Sequence, residues 1–510
     1  MGAIKPLRWC LLLCVLTGLI ACQQQVAEQG ELRVGVAQLP MSLDPRFATD
    51  AASHKIQALV HRGLIRLDDD FIPRVDIAAS WQHPDALTWV FDLKKNVYFH
   101  DGSRLQAKDV AATLRGVLNK ALASPLRAGF ASIESVEVLS AYRLRLHLHK
   151  ADSSLLTRLS LGIVPESMAN KPHQARKMMG AGAFKLQSWH GNDLYLKRVR
   201  PSPISNIEVL HFIRVKDAVT RCLKLVRGEI DFTQNDLPPD LLPYLEKQKQ
   251  LTIQTRASTT FSYIGLNTQD ATLKDVRVRQ ALALAVDRKR LKKALFSNLP
   301  KLAETVLTPN HWATTVLQQS AFDPRKAEEM LDEAGFPRAK DGVRFKLNYR
   351  TSTDPARLRL ATAVADMWQK IGVQVSIESL EWGGFYARIK RGDFQVFSLS
   401  WVGIVDPDIY RWILHTDMWP PKGANRGRYS NADVDTWLER ASESESIKQR
   451  KRIYAKVQKK MQQDQVYIPL WYEPVLAVSS KRVQGFEPSS DGGLLGLMNA
   501  NIKFIGEEVL

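Results

Sequence analysis

The sequence predicts a mixed α/β protein of several lobes, and three observations predict it. Segments that alternate every second residue are interleaved with segments of helical periodicity. Residues 345–350, 356–371 and 373–378 read in turn as strand, amphipathic helix and strand. That is a βαβ unit, which needs a locally parallel or mixed sheet. Finally, a chain of 510 residues is long enough for more than one core of ordinary size. With 45% hydrophobic and 24% charged residues it is neither disordered, collagen-like nor a disulfide scaffold.

The elements follow in order. Leu32, Val34 and Val36 alternate with Arg33 and Gly35, which reads as a strand. Residues 54–66 read as a helix. Residues 88–94 and 143–149 are period-2 strands, the second with Leu144, Leu146 and Leu148 on one face. Its other face carries Arg143, Arg145, His147 and His149. His147 and His149 share a side at metal-ligand spacing, but no third ligand lies nearby, so a solvated sheet face is the reading. Asp323 and Pro324 open a helix as N-cap and first-turn proline, and Gly335 closes it.

The first residues bear on the compartment. Lys5 and Arg8 precede an apolar run, Trp9 to Ile20, and then small residues. This is the layout of a secretory signal, too short to span a bilayer. Leu19-Ile20-Ala21-Cys22 resembles the bacterial lipobox, which implies a signal peptide over 1–21 and acylation of Cys22. Gln23, by the same resemblance, directs the chain to an outer membrane where one exists. A polar tether over 22–30 follows. Cys10 and Cys14 fall in the signal, so the mature chain keeps only Cys222 beside Cys22 and forms no internal disulfide. Ala218, Cys222 and Leu225 share a helical face, so Cys222 reads as a buried small hydrophobe.

The 71 Lys+Arg against 53 Asp+Glu give a formal charge of +18. Such a balance suits nucleic acid, an anionic membrane or an acidic ligand, and equally a merely solvated basic surface. Export argues against nucleic acid. The chain has no GxSxG elbow, Walker A loop, HExxH or paired CxxC. Gly180-Ala-Gly-Ala-Phe184 lacks the dinucleotide fingerprint's third glycine and helix. Binding without turnover, and without a metal or other cofactor, is the expectation.

Several segments together resemble the family 5 extracellular solute-binding proteins, the peptide- and nickel-type receptors of ABC importers. They are Leu43-Asp44-Pro45 with Arg62-Gly63-Leu64-Ile65, then Trp89 through the Phe99-His100-Asp101-Gly102 turn, then Ala107-Lys108-Asp109-Val110. Tyr263-Ile-Gly-Leu-Asn267 and the run from Asp275 to Arg288 follow. Where many members open a helix with tyrosine, aspartate and proline, this chain has Phe322-Asp323-Pro324. The resemblance runs from about residue 30 to about 485. It implies a two-lobed periplasmic-binding-protein fold with an extra domain inserted in the N-terminal lobe. Lobe 1 would comprise 31–50, 170–262 and 473–510, the inserted domain 51–169, and lobe 2 263–472. Hinge strands would lie near 263–267 and 468–472. The chain would be a monomer, lipid-anchored on the periplasmic side of the envelope, binding a peptide or peptide-like solute in a cleft between the lobes and serving an ABC permease. An envelope chaperone or sensor using the same cleft is the alternative.

Peptide-binding members often carry Trp-x-x-Asp, whose carboxylate meets the ligand's α-amino group. Here Trp401-Val402-Gly403-Ile404 puts isoleucine at that position, and isoleucine cannot accept a hydrogen bond. Either Asp406 or Asp408 takes over, or the ligand has no free amine. Both aspartates also read as a turn and helix N-cap ahead of 409–414. Gly423-Ala-Asn-Arg-Gly-Arg-Tyr429 sets Arg426 in a glycine-flanked loop, as a candidate for an acidic ligand group or for a structural salt bridge. Trp382, Trp401 and Tyr410 are candidate cleft walls or core residues. Tyr263 and Asn267 join the candidate ligand-binding set through the hinge.

Overall fold

The computed structural model describes residues 30–503, except 236, 238, 319, 320 and 445. The signal, Cys22 and residues 22–29 of the tether lie outside the described residues.

Two long antiparallel strands, Leu251–Leu266 and Tyr467–Ser480, run through the middle of an eleven-stranded sheet. On one side Val396–Trp401 pairs with the first of them, followed by Phe345–Ser352 and Val373–Leu380. On the other side Phe232–Gln234 pairs with the second, followed by Glu31–Val36, Val209–Arg214, Asp193–Arg198 and Phe184–His190. The register between the long strands shifts between Ala257 and Phe261, and again between Ser262 and Tyr263. This irregular stretch separates the two halves of the sheet, and each half packs its own apolar core. The first core joins Leu32, Val34, Phe184, Phe212 and Phe232. The second lobe buries Tyr263, Phe397 and Tyr467 on one sheet face and Ile264, Trp368 and Trp471 on the other.

A four-stranded antiparallel sheet forms an inserted unit with its own core around Phe91, Leu144 and Leu146. Its apolar packing starts at Leu64. The preceding helix Ala51–Val60 instead buries Ile56, Leu59 and Val60 in the first lobe's core. That helix ends earlier than the sequence suggests. Gly63 passes so close to Ser160 that a Cβ would lie 2.6 Å from its carbonyl, and Ile163 N–H bonds the Arg62 carbonyl at 2.8 Å. The chain between 61 and 64 is thus pinned in an extended course. Gly180 and Gly182 serve packing too: a Cβ on either would strike the Leu59–Val60 backbone.

The βαβ unit is present as expected. Phe345–Ser352 and Val373–Leu380 pair in parallel around the helix Pro355–Lys370. Asp323 caps Pro324–Glu333, and Gly335 follows at φ 88°. Cys222 is buried. No helix of the described residues is long and apolar enough to cross a membrane.

The first lobe also rests on buried charge. Asp231 accepts from Arg33 Nε at 2.9 Å and Nη2 at 3.0 Å, from Arg33 N–H at 3.1 Å, and from Arg482 at 3.3 Å. Removing a buried partner strands the opposite charge, typically at about 3–5 kcal/mol. Asp231→Ala should therefore lower the urea midpoint by the equivalent of about 3–5 kcal/mol with an unchanged m-value.

Candidate functional site

The strands of each half point their C-terminal ends at the junction. In the second lobe these ends are Ser352, Leu380 and Trp401, and Trp401 pairs with Phe261 where the register breaks. In the first lobe they are Val36, Arg214 and Gln234, with Gln234 opposite Ala477 on the same side. Side chains and loops beyond the C-terminal ends of parallel strands are where open α/β sheets build their ligand crevices.

Arg426 lies on the second lobe's side of this junction. Its guanidinium sits 4.1 Å from the Trp401 ring centroid and 5.4 Å from that of Tyr386. Nη1 donates to Tyr263 Oη at 3.1 Å, and Nη2 to Tyr386 Oη at 3.2 Å. The residue is only 8% exposed. Among the described residues no carboxylate forms an ion pair with it. The stack continues outwards: Tyr386 lies parallel to Trp382, with ring centroids 5.6 Å apart, and Trp382 is 49% exposed. Inwards, Trp401 stacks on Tyr263 and Tyr263 on Tyr467. The chain builds this from a loop, a strand end and one helix face. The helix Trp382–Arg391 opens directly after a strand end and presents Trp382 and Tyr386 one turn apart. Asn425 holds the loop by donating to the carbonyls of Leu414, His415 and Tyr429. The result is a desolvated cation held on aromatic faces.

Asp406 and Asp408 form a second group. Asp406 accepts from Ser154 Oγ at 2.9 Å, Thr157 Oγ1 at 2.7 Å and Asp408 N–H at 2.9 Å. Its carboxylate thus bridges the second lobe to the inserted unit, with Arg450 Nη2 4.0 Å away. Asp408 stands at the N-cap position of Ile409–Leu414 but makes no capping bond, and its buried Oδ1 has no hydrogen-bond partner. Burial, with Asp406 adding repulsion, pushes the Asp408 carboxyl up to about 6 against the pull of Arg450 and Arg411. Nearby, burial pushes His311 down to about 4.

Of the residues singled out in the sequence, Tyr263, Trp382, Trp401 and Arg426 come together in one stack. Asp406 and Asp408 share the neighbouring loop. Tyr410 is wholly buried in the second lobe's core. Asn267 lies at the end of its strand away from the junction, tied to Phe394 and Gln395 carbonyls. Ile404 is buried in the same core as Tyr410. Tyr386, Ser154, Thr157 and Arg450 went unread in the sequence. Only Tyr386 had a signal there, four residues after Trp382.

The fold defines a class: a two-lobed α/β protein of the periplasmic-binding-protein type, its sheet halves joined by the two long strands. Residues 73–418 match the family described as bacterial extracellular solute-binding proteins, family 5 Middle, and this chain belongs to that family. Family members are non-enzymatic receptors of ABC transporters, working in the periplasm or outside the cell. The chain is 26% identical over 491 residues to the oligopeptide-binding protein AppA of Bacillus subtilis, across 90% of this chain and 89% of that one. It is 25% identical over 477 residues to the glutathione-binding protein GsiB of Salmonella typhimurium, across 89% and 91%. Among solved structures, HbpA2 of Haemophilus parasuis superposes with a TM-score of 0.83 at 24% identity, across 93% of this chain and all of that one. AppA of Bacillus subtilis in complex with a nonapeptide gives 0.70 at 25% identity, across 93% and 99%. The family and the two-lobed fold expected from the sequence both hold.

The shifted Asp408 has a consequence for stability. Folded Asp408 keeps its proton to higher pH than an unfolded aspartate, which ionises near pH ~4. That favours the folded state fully below about pH 4, and the advantage is lost as pH rises through about 6. Asp408→Asn carries no such loss. Its unfolding free energy relative to wild type should rise by on the order of 2 kcal/mol between about pH 4 and about pH 7.5 in urea titrations. A difference that stays constant with pH would contradict the assignment.

Proposed function

We propose that the protein is a lipid-anchored receptor that captures a peptide or peptide-like solute between its lobes and delivers it to an ABC permease. The observation that carries this reading is the pair of strand-end rows facing each other across the junction, with the Arg426–Trp401–Tyr386 stack beside them. Relatives named for oligopeptide, dipeptide and glutathione binding support it. In this reading Arg426 pairs with an acidic group of the solute, since a buried cation with only phenol partners gains most from a carboxylate. Trp382 and Trp401 wall the crevice, and Tyr263 orients the guanidinium. Asp406 is occupied by the inserted unit, so Asp408 is the carboxylate left for a solute ammonium. Residues 1–21 are cleaved, Cys22 carries the lipid, and the receptor acts as a monomer.

Native mass spectrometry of protein purified without denaturation should find a bound small solute, and di- to pentapeptides should raise its melting temperature. Arg426→Ala should weaken the best peptide by about tenfold or more, read by calorimetry. A chain that binds no peptide and carries no solute overturns the reading. Cys22→Ala should move the protein from the detergent phase to the aqueous phase, and unchanged partitioning would refute the anchor.

A further inference from the structure

The turn between the strands Ile65–Leu67 and Pro73–Val75 leaves the inserted unit and enters the second lobe's core. At its tip Phe71 has φ 62°, a left-handed conformation in which a bulky side chain is strained. Asp68 holds the turn in that shape. Its Oδ1 accepts from Ile72 N–H at 2.8 Å and Asp70 N–H at 3.1 Å, and its Oδ2 from Arg74 Nε at 2.7 Å. The strained residue is also 4% exposed. Its ring stacks on His311 at 5.3 Å between centroids and joins the core containing Val306, Leu307 and Trp312, with Leu67 and Ile72 packed alongside. Trp312 N–H donates to the Asp70 carbonyl at 3.0 Å, and Asn310 Nδ2 donates to the Asp69 carbonyl.

The receiving segment starts at Lys301–Leu302, which pairs with Tyr472 and Trp471 of the long strand just where the halves of the sheet meet. On the same side Arg256 of the other long strand lies 4.0 Å from Asp69. The turn is therefore anchored beside the junction, not at the outer rim. We infer that Asp68–Ile72 is a hinge strap: a non-covalent connection between the halves, additional to the two long strands, that limits how far the lobes separate. Phe71 is its plug. The strain in the turn is offset by burial of the ring only while the strap is engaged. The strap does not depend on which solute the crevice takes, so it stands or falls separately from the proposed function.

Phe71→Gly tests it, because glycine adopts the turn's conformation without strain and removes the plug. In ligand-free protein this variant should have a larger radius of gyration by solution X-ray scattering. The Trp312 amide should exchange with deuterium roughly 10- to 100-fold faster, while the four-stranded sheet of the inserted unit keeps wild-type protection. A wild-type radius overturns the strap, whatever the exchange rate. Should Phe71→Gly not fold, Asn310→Asp decides. It sets a like charge against Asp69 and Asp70 without taking a side chain from the core. An enlarged radius supports the strap, and a wild-type radius overturns it.

Discussion

Everything in this molecule depends on two strands that belong to both halves. Leu251–Leu266 and Tyr467–Ser480 hydrogen-bond to each other on both sides of the junction, so neither lobe has a complete sheet without them. Between Ala257 and Phe261 their ladder is interrupted. An interrupted ladder bends and twists more easily than a continuous one. The backbone groups there find partners in loops: Thr259 N–H donates to the Ser490 carbonyl, and the Thr259 carbonyl accepts from Ile404 N–H. One residue thus links a first-lobe loop to the loop after Trp401. A change of lobe angle would be felt first at these two bonds, within reach of the aromatic stack.

That link also explains why Ile404 suits its position. With its N–H engaged by Thr259 and its side chain turned into the second lobe's core, a carboxylate there would be buried without a donor. The acidic groups of this loop lie two and four residues further on. Asp406 is committed to Ser154 and Thr157, which leaves Asp408 with an unpartnered oxygen and a raised affinity for its proton. The polar chemistry of the second lobe is therefore asymmetric. One group is a buried guanidinium without a carboxylate, and the other is a buried carboxyl that gives up its proton late.

What the sequence disclosed follows from the range of the signals. Periodicity is local, so the βαβ unit at 345–378, the proline-opened helix after Asp323 and buried Cys222 were all legible. The long strand was not, because Ser258-Thr259-Thr260 interrupts its apolar pattern at the register break. The core partners of Arg426 come from positions 263, 386 and 401, and no window spans them. Family segments placed Tyr263 near a hinge, yet the break in the ladder lies just before it. Nothing in Asp68-Asp-Asp-Phe-Ile72 announces a left-handed phenylalanine. That conformation rests on the Asp68 hydrogen bonds within the turn and on a distant core that receives the ring.

The charge of +18 left an acidic partner and a merely solvated basic surface equally open, and the structure gives several of the arginines an internal use. Arg46 is fully buried, paired with Asp44 and donating to the Ala169 carbonyl. Arg279 donates to carbonyls of Leu273, Lys274 and Asp464, and Arg221 to that of Val215. Arg288 clasps Glu304 and the Ala303 and Pro469 carbonyls beside the junction. Backbone carbonyls at helix ends and strand exits carry partial negative charge but count as zero in a formal sum. An arginine that satisfies several of them raises net charge without creating a positive surface. A planar guanidinium does this better than an ammonium, because its fixed fork reaches two or three acceptors at once. Arg221 and Arg279, which donate to such carbonyls, are internal staples of this kind, whereas Arg46 and Arg288 are balanced by Asp44 and Glu304. Arg426 departs from this pattern: among the described residues its side-chain donors meet the phenols of Tyr263 and Tyr386.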